Sequence, residues 1–147
     1  KKNALFRMVR CDKVTLSLLE ATLALYLDHD KVMQRVPTLR AISRDPLDVK
    51  ASAEAICAKL KMAGIDASTA ASSSQIGGGS TPGEYLATTV VSVRNLVKSA
   101  DEAARRLRVG TPSVFCRIED NTLLFDPRTL LPGQDDELCS AILAIRP

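Results

Sequence analysis

The run from Asp45 to Gly64 constrains this chain more than any other segment. Asp45 can cap a helix, Pro46 suits its first position, and Asp48 sits in its first turn. Val49, Ala53, Ile56, Leu60 and Ala63 then recur at helical spacing, with Lys50, Glu54 and Lys61 off that stripe. Gly64 is placed to end the run. A helix with a single apolar stripe must lay it on another element, most often a sheet. Two strand patterns follow at once, Ile65 to Ala71 and Tyr85 to Arg94, the second carrying Thr88-Thr89-Val90-Val91 and Val93.

Downstream, Ser99 and Glu102 form a capping-box pattern for a helix running to about Arg108. Val114 to Ile118 and Thr122 to Phe125, joined through Glu119-Asp120-Asn121, predict a β-hairpin. Asp135 or Asp136 is expected to start a last helix through Leu138, Ala141 and Ile142. Upstream, Val14 to Leu27 reads as a helix apolar on two sides. Leu16, Leu19, Leu23, Tyr26 and Leu27 make one strip, and Leu18 and Leu25 a second. Such a helix is sandwiched in a core or pressed on a partner domain. Asp12 is its expected N-cap, with orientation of Arg10 or Lys13 as the functional alternative. Asp28-His29-Asp30 is expected to end it, and Lys31 to Ile42 reads as a short helix broken at Pro37. The order is an α+β pattern, a small and largely antiparallel sheet covered by helices. Residues 1–44 form an N-terminal helical segment and residues 45–147 the α+β domain.

A length of 147 residues can bury a real core, and with no Trp, three Phe and two Tyr that core should be aliphatic. A net charge of +3 permits contact with phosphate or nucleic acid without requiring it. A dedicated nucleic-acid binder shows a denser basic stripe or stacking aromatics. Cys11, Cys57, Cys116 and Cys139 are scattered singly, and with one histidine a Cys/His zinc site has poor prospects. Buried free thiols are the better expectation. No apolar run reaches the length of about eighteen residues that a spanning helix needs, and the chain reads as soluble and cytoplasmic.

Several groups carry chemical interest. Arg7 and Arg10 arrive with Lys13 and a single carboxylate, Asp12. A solvated basic tail is the plain reading. In a helix the two arginines would share a face, in an extended segment they would oppose, and either way guanidinium forks suit an oxyanion. The stretch Ser72 to Gly83 holds Gly77-Gly78-Gly79-Ser80, which fits either a flexible linker or a backbone nest for an anion. It lacks the Gly-Lys-Ser/Thr ending of a P-loop and the spacing of a dinucleotide fingerprint. Arg105, Arg106 and Arg108 form the densest basic cluster after the N-terminus, by default a solvated helix face, alternatively an RNA-backbone contact. His29, lone between two aspartates, is read as a solvated loop residue. Arg117 is expected in a structural ion pair.

Four stretches, in order, carry a resemblance. They are Arg7-Met8-Val9-Arg10-Cys11-Asp12-Lys13-Val14-Thr15-Leu16, Val36-Pro37-Thr38-Leu39-Arg40, Ser74 to Gly83, and Arg117-Ile118-Glu119-Asp120 with Leu124-Phe125-Asp126-Pro127-Arg128-Thr129. Together the pattern resembles the C-terminal part of the bacterial L-seryl-tRNA(Sec) selenium transferases. The resemblance implies the small domain of a fold-type I enzyme that depends on pyridoxal phosphate. It further implies conversion of seryl-tRNA(Sec) to selenocysteinyl-tRNA(Sec) with selenophosphate as selenium donor. In that family the cofactor is held by a lysine of the large domain, upstream of the paired arginines, so this chain alone is expected to be inactive. Arg7 and Arg10 become candidates for the phosphate of the selenium donor. Gly77 to Ser80 becomes a candidate active-site loop, and Arg105, Arg106 and Arg108 candidate tRNA contacts. The Val14–Leu27 helix would bridge to the large domain, and a homo-oligomer is implied. A related lyase acting on another amino compound, such as a sugar-acid ammonia lyase, and a non-catalytic RNA-binding module are the competing expectations.

Overall fold

The structure, a computed structural model, describes residue 3, residues 5–77 and residues 83–146, without the side chains of Phe6 and Arg7. The chain divides into two compact units, Lys1–Ser43 and Arg44–Pro147. The first holds α1 (Leu5–Met8), α2 (Lys13–Leu25), α3 (His29–Arg35) and α4 (Pro37–Ser43). Asp12 caps α2 by accepting from Thr15 N and Thr15 Oγ1, both at 2.9 Å. These bonds hold its carboxyl below the ordinary aspartate range. The alternative role for Asp12, orienting Arg10 or Lys13, is not what these bonds serve.

Asp28-His29-Asp30 differs from expectation. Rather than closing α2, Asp28 opens α3, accepting from Lys31 N at 3.2 Å and pairing with Lys31 Nζ at 2.7 Å. The break at Pro37 has its expected cause: Val36 is extended (φ −84, ψ 110), as the residue before a proline prefers. Proline then occupies the first position of α4. No residue of α2 is buried, and Leu16, Leu19 and Leu23 are each more than half exposed.

The second unit runs α5 (Pro46–Met62), β1 (Asp66–Gln75), β2 (Tyr85–Arg94), α6 (Ala100–Val109), β3 (Arg117–Glu119), β4 (Thr122–Phe125), a 3-10 turn at Pro127–Thr129 and α7 (Gln134–Ala144). The sheet is antiparallel throughout, in the order β1-β2-β4-β3. Asp45 caps α5 through Leu47 N at 2.7 Å. Val49, Ala53, Ile56 and Leu60 are buried as the stripe predicts, and α5 packs on β1 and β2. Gly64, at φ +78, turns the chain from α5 into β1, a backbone conformation that side chains rarely tolerate. Ile56, Leu60, Val91, Val93, Leu107, Leu123 and Ile142 form the aliphatic centre of this α+β unit.

Three boundaries differ from the sequence reading. β1 continues through Ser72–Gln75, whose residues pair with Thr88 back to Tyr85. Serine is an indifferent strand former, and the β-branched partner strand sets its conformation. β3 is only three residues long, because Val114 N donates to Leu107 O at 2.9 Å and is tied to α6 instead of to β4. α7 starts at Gln134 behind Gly133 (φ 85), with no side-chain cap. Asp135, Asp136 and Glu137 serve its first turn by their charge near the positive helix end.

The β3–β4 turn shows how local chemistry fixes the domain. Asp120 (φ 47) and Asn121 (φ 56) both take the left-handed conformation that a two-residue hairpin turn requires. Asn121 Oδ1 also accepts from Ala100 N at 3.0 Å, so the turn caps α6. Asn121→Ala loses the cap and forces alanine into a left-handed backbone, for an expected cost of about 1–2 kcal/mol in chemical denaturation. Asn121→Gly relieves the backbone and should cost less, and equal losses for the two would remove the strain from this account.

Candidate functional site

A cleft of about 610 Å³ opens in the second unit. Its walls come from the end of β1 (Ser73, Ser74, Gln75), the segment entering β3 (Phe115, Cys116, Arg117), and the end of β4 with the turn after it (Leu124, Asp126, Thr129). β1 and β3 are the two outer strands of the sheet, yet Arg117 reaches from one to the other. Its guanidinium donates to Ser73 O at 3.2 Å and to Ser72 Oγ at 2.9 Å, with Glu119 Oε1 at 3.7 Å. The long β1–β2 arm therefore curls over the short hairpin, and Arg117 spans the gap. The expected structural ion pair is present but is the weakest of these contacts. The neutral backbone and hydroxyl acceptors hold the side chain.

The floor of the cleft is a polar knot. The Asp126 carboxylate accepts from Ser74 Oγ, from Thr88 Oγ1 at 2.8 Å and from Arg128 N at 3.0 Å. Arg128 is only 4% exposed. It donates to Arg44 O at 2.9 Å and Ala87 O at 2.7 Å, joining the start of this unit to β2. Arg44 in turn donates to Pro127 O and to Ser52 Oγ, the latter at 2.8 Å. A buried guanidinium is tolerable only when its donors meet acceptors, and backbone carbonyls supply them here. Cys116 is half-buried, and that burial raises its thiol pKa, with nearby Arg108 opposing, so it is a neutral thiol at neutral pH.

The site residues expected from sequence distribute as follows. Arg7 has its backbone in α1, and its side chain lies outside the described residues; Arg10 follows α1 beyond the helical turn and is exposed. The shared helical face thus does not arise for this pair. Gly77 (φ 63) lies two residues beyond Gln75, while Gly78, Gly79 and Ser80 lie outside the described residues. Arg105 Nε and Arg106 Nε donate to Glu102 at 3.0 and 2.8 Å, and Arg108 sits over the Phe115 ring at 5.7 Å. His29 is exposed. Among the described residues no three His, Cys, Asp or Glu side chains gather as a metal site, and no helix is long and apolar enough to cross a membrane. All four cysteines are free thiols; Cys57 and Cys139 are buried, while Cys11 is exposed.

The cleft members Ser74, Asp126 and Phe115, and Thr88 buried behind Asp126, were given no individual role from sequence. The signal that could have found Asp126 was the Leu124–Thr129 stretch, quoted for its pattern but given no role. A family profile now bears on that stretch directly: the one for L-seryl-tRNA selenium transferase (SelA) matches residues 1–131. The chain belongs to the L-seryl-tRNA selenium transferase family. Curated members agree along its whole length. The L-seryl-tRNA(Sec) selenium transferases of Nitratidesulfovibrio vulgaris and Desulfomicrobium baculatum are each 39% identical over 149 residues, 99% of this chain. That of Alkaliphilus oremlandii is 34% identical over 143 residues, 96% of this chain. The chain spans about a third of the length of these relatives, 31–32% in each. Membership covers both units of the structure, including the cleft.

Pyridoxal phosphate does not find a self-contained seat among the described residues of this chain. A lysine that forms a Schiff base works when desolvated. Lys13, Lys31, Lys50, Lys59, Lys61 and Lys98 are all exposed, and none lines the cleft.

Glu102 is the best-defined charge centre near the basic cluster. Its bonds to Arg105 and Arg106 lower its pKa from 4.5 to about 2. A depressed carboxyl pKa stabilises the fold above the unfolded value of 4.5, and that contribution is lost as pH falls towards about 2. Glu102→Gln should therefore melt below wild type at neutral pH, and the two curves should converge near pH 2. A gap independent of pH would mean the carboxylate charge is not what holds the two arginines.

Proposed function

We propose that this chain is the C-terminal part of an enzyme that converts seryl-tRNA(Sec) to selenocysteinyl-tRNA(Sec), with selenophosphate as selenium donor and pyridoxal phosphate as cofactor. The family match over residues 1–131 carries this reading. The cofactor supplies the electron sink for chemistry at the serine side chain. Its lysine is assigned to sequence outside this chain, so the chain alone is inactive.

In this reading the chain's own residues bind and position. Arg7 and Arg10 take the oxyanion of the selenium donor through charge-assisted bonds. The Gly77–Ser80 stretch, leading out of β1, borders the active site. Arg105, Arg106 and Arg108 meet the tRNA backbone, with phosphate competing against Glu102 for the first two. The exposed leucines of α2 bridge to the large domain, and the whole enzyme is a cytoplasmic homo-oligomer. The unit boundary near residue 44 separates bridge from small domain.

The test is a selenium-transfer assay on the full-length protein with its cofactor absorbance recorded first. Selenophosphate-dependent formation of selenocysteinyl-tRNA(Sec) supports the reading. Cofactor absorbance with turnover of a free sugar acid and none of seryl-tRNA(Sec) replaces it with the lyase. RNA binding with a steep salt slope, no cofactor and no turnover replaces it with a binding module.

A further inference from the structure

Phe115 is anomalous in a chain that holds only three phenylalanines: it is 74% exposed. The segment leading into it is nonetheless tethered. Val114 N donates to Leu107 O at 2.9 Å and Ser113 Oγ to Arg108 O at 2.6 Å, so the segment is stitched to the end of α6. Gly110 permits this close return, since a Cβ there would stand 3.2 Å from Arg106 O. Arg108 lies against the ring at 5.7 Å from its centroid. The ring also forms part of the wall of the 610 Å³ cleft, with Gln75 and Arg117 among the other walls.

An exposed aromatic on a tethered segment, a guanidinium against it, and a polar cleft alongside are what an unpaired nucleobase needs. The ring offers a stacking surface, the arginine a charge for the adjoining phosphate, and Gln75 an amide with both a donor and an acceptor for a base edge. The cleft volume falls within the range of small-ligand sites. An anion alone would not need the ring. A protein strand would be expected to meet a longer apolar strip than this single side chain.

We propose that Phe115 and Arg108 form a stacking platform for an unpaired nucleotide of the tRNA substrate, at its single-stranded 3′ end. The inference rests on the selenium-transferase reading and adds to it the part of the RNA that this domain holds. Because the segment is stitched to α6 before binding, stacking costs little conformational ordering.

The experiment uses the full-length enzyme and a tRNA carrying 5-iodouridine in its unpaired 3′ end. On irradiation, a cross-link to Phe115, mapped by mass spectrometry, is expected. Phe115→Trp should keep the cross-link, and Phe115→Leu should abolish it and weaken tRNA binding by about 5- to 150-fold, the span of one stacked base. Arg108→Gln should weaken binding and reduce its salt dependence. Phe115 is too exposed for these substitutions to threaten folding, and an unchanged melting temperature verifies that. If Phe115→Leu binds and cross-links as wild type does while selenium transfer continues, the platform is wrong and the function stands. If the wild-type enzyme neither binds the tRNA nor transfers selenium, both fail together.

Discussion

Asp126→Ala is expected to lower the melting temperature of the second unit by about 15 °C, from a loss of about 4 kcal/mol. The figure follows from what the carboxylate satisfies. Thr88 is 5% exposed, and its hydroxyl loses its acceptor at 2.8 Å. The Arg128 amide loses its own at 3.0 Å, beside a residue 4% exposed. An orphaned buried donor costs about 1–3 kcal/mol, and there are two of them. Ser74 lines the cleft, where water can replace its lost partner, so it adds little. Asp126→Asn keeps an acceptor and should lose about half as much. Thr88→Val in the alanine background should recover part of the loss, because removing both partners of a bond is cheaper than removing one. A melting temperature for Asp126→Ala within a few degrees of wild type would show that the knot does not hold β1, β2 and the Pro127–Thr129 turn together.

The same knot explains which parts of the molecule could be read from sequence. The helix behind Asp45-Pro46, the Ser99–Glu102 cap and the strand Tyr85–Arg94 were all legible, since their signals lie within a few residues of the structure they specify. The single turn residue Asn121 carries both a hairpin conformation and a helix cap, and only the first was visible locally. Asp126 binds Ser74 and Thr88, which lie 52 and 38 residues away, and no periodicity reports a bond of that span. Ser72–Gln75 reads locally as the beginning of a loop because serine does not announce a strand. Its conformation comes from the Tyr85–Thr88 register, a tertiary effect. Where sequence and structure part, the missing information is therefore the curl of the β1–β2 arm, and the cleft is built from that curl.

Replacing Arg7 and Arg10 together with alanine in the full-length enzyme should lower kcat/KM for the selenium donor by about 10²- to 10⁴-fold, from two charge-assisted interactions of about 1.5–3 kcal/mol each. Cofactor absorbance should stay unchanged, because the double substitution replaces neither the proposed cofactor lysine nor any residue of the sheet domain. Arg10 is exposed and Asp12 is committed to Thr15, so among the described residues no carboxylate bond competes for an incoming anion at Arg10. The α1 turn ends at Met8, which places the two arginines on backbone of different conformation. They therefore would not present a rigid common face, and binding the donor would have to order them, a cost that falls on KM before kcat. Lysine at both positions separates charge from geometry: it should restore donor attraction but only part of the rate, since an ammonium lacks the two-pronged fork. Wild-type transfer kinetics in the double alanine variant would remove the oxyanion role from this pair. A loss confined to tRNA affinity, with donor KM unchanged, would move them from the selenium donor to the RNA.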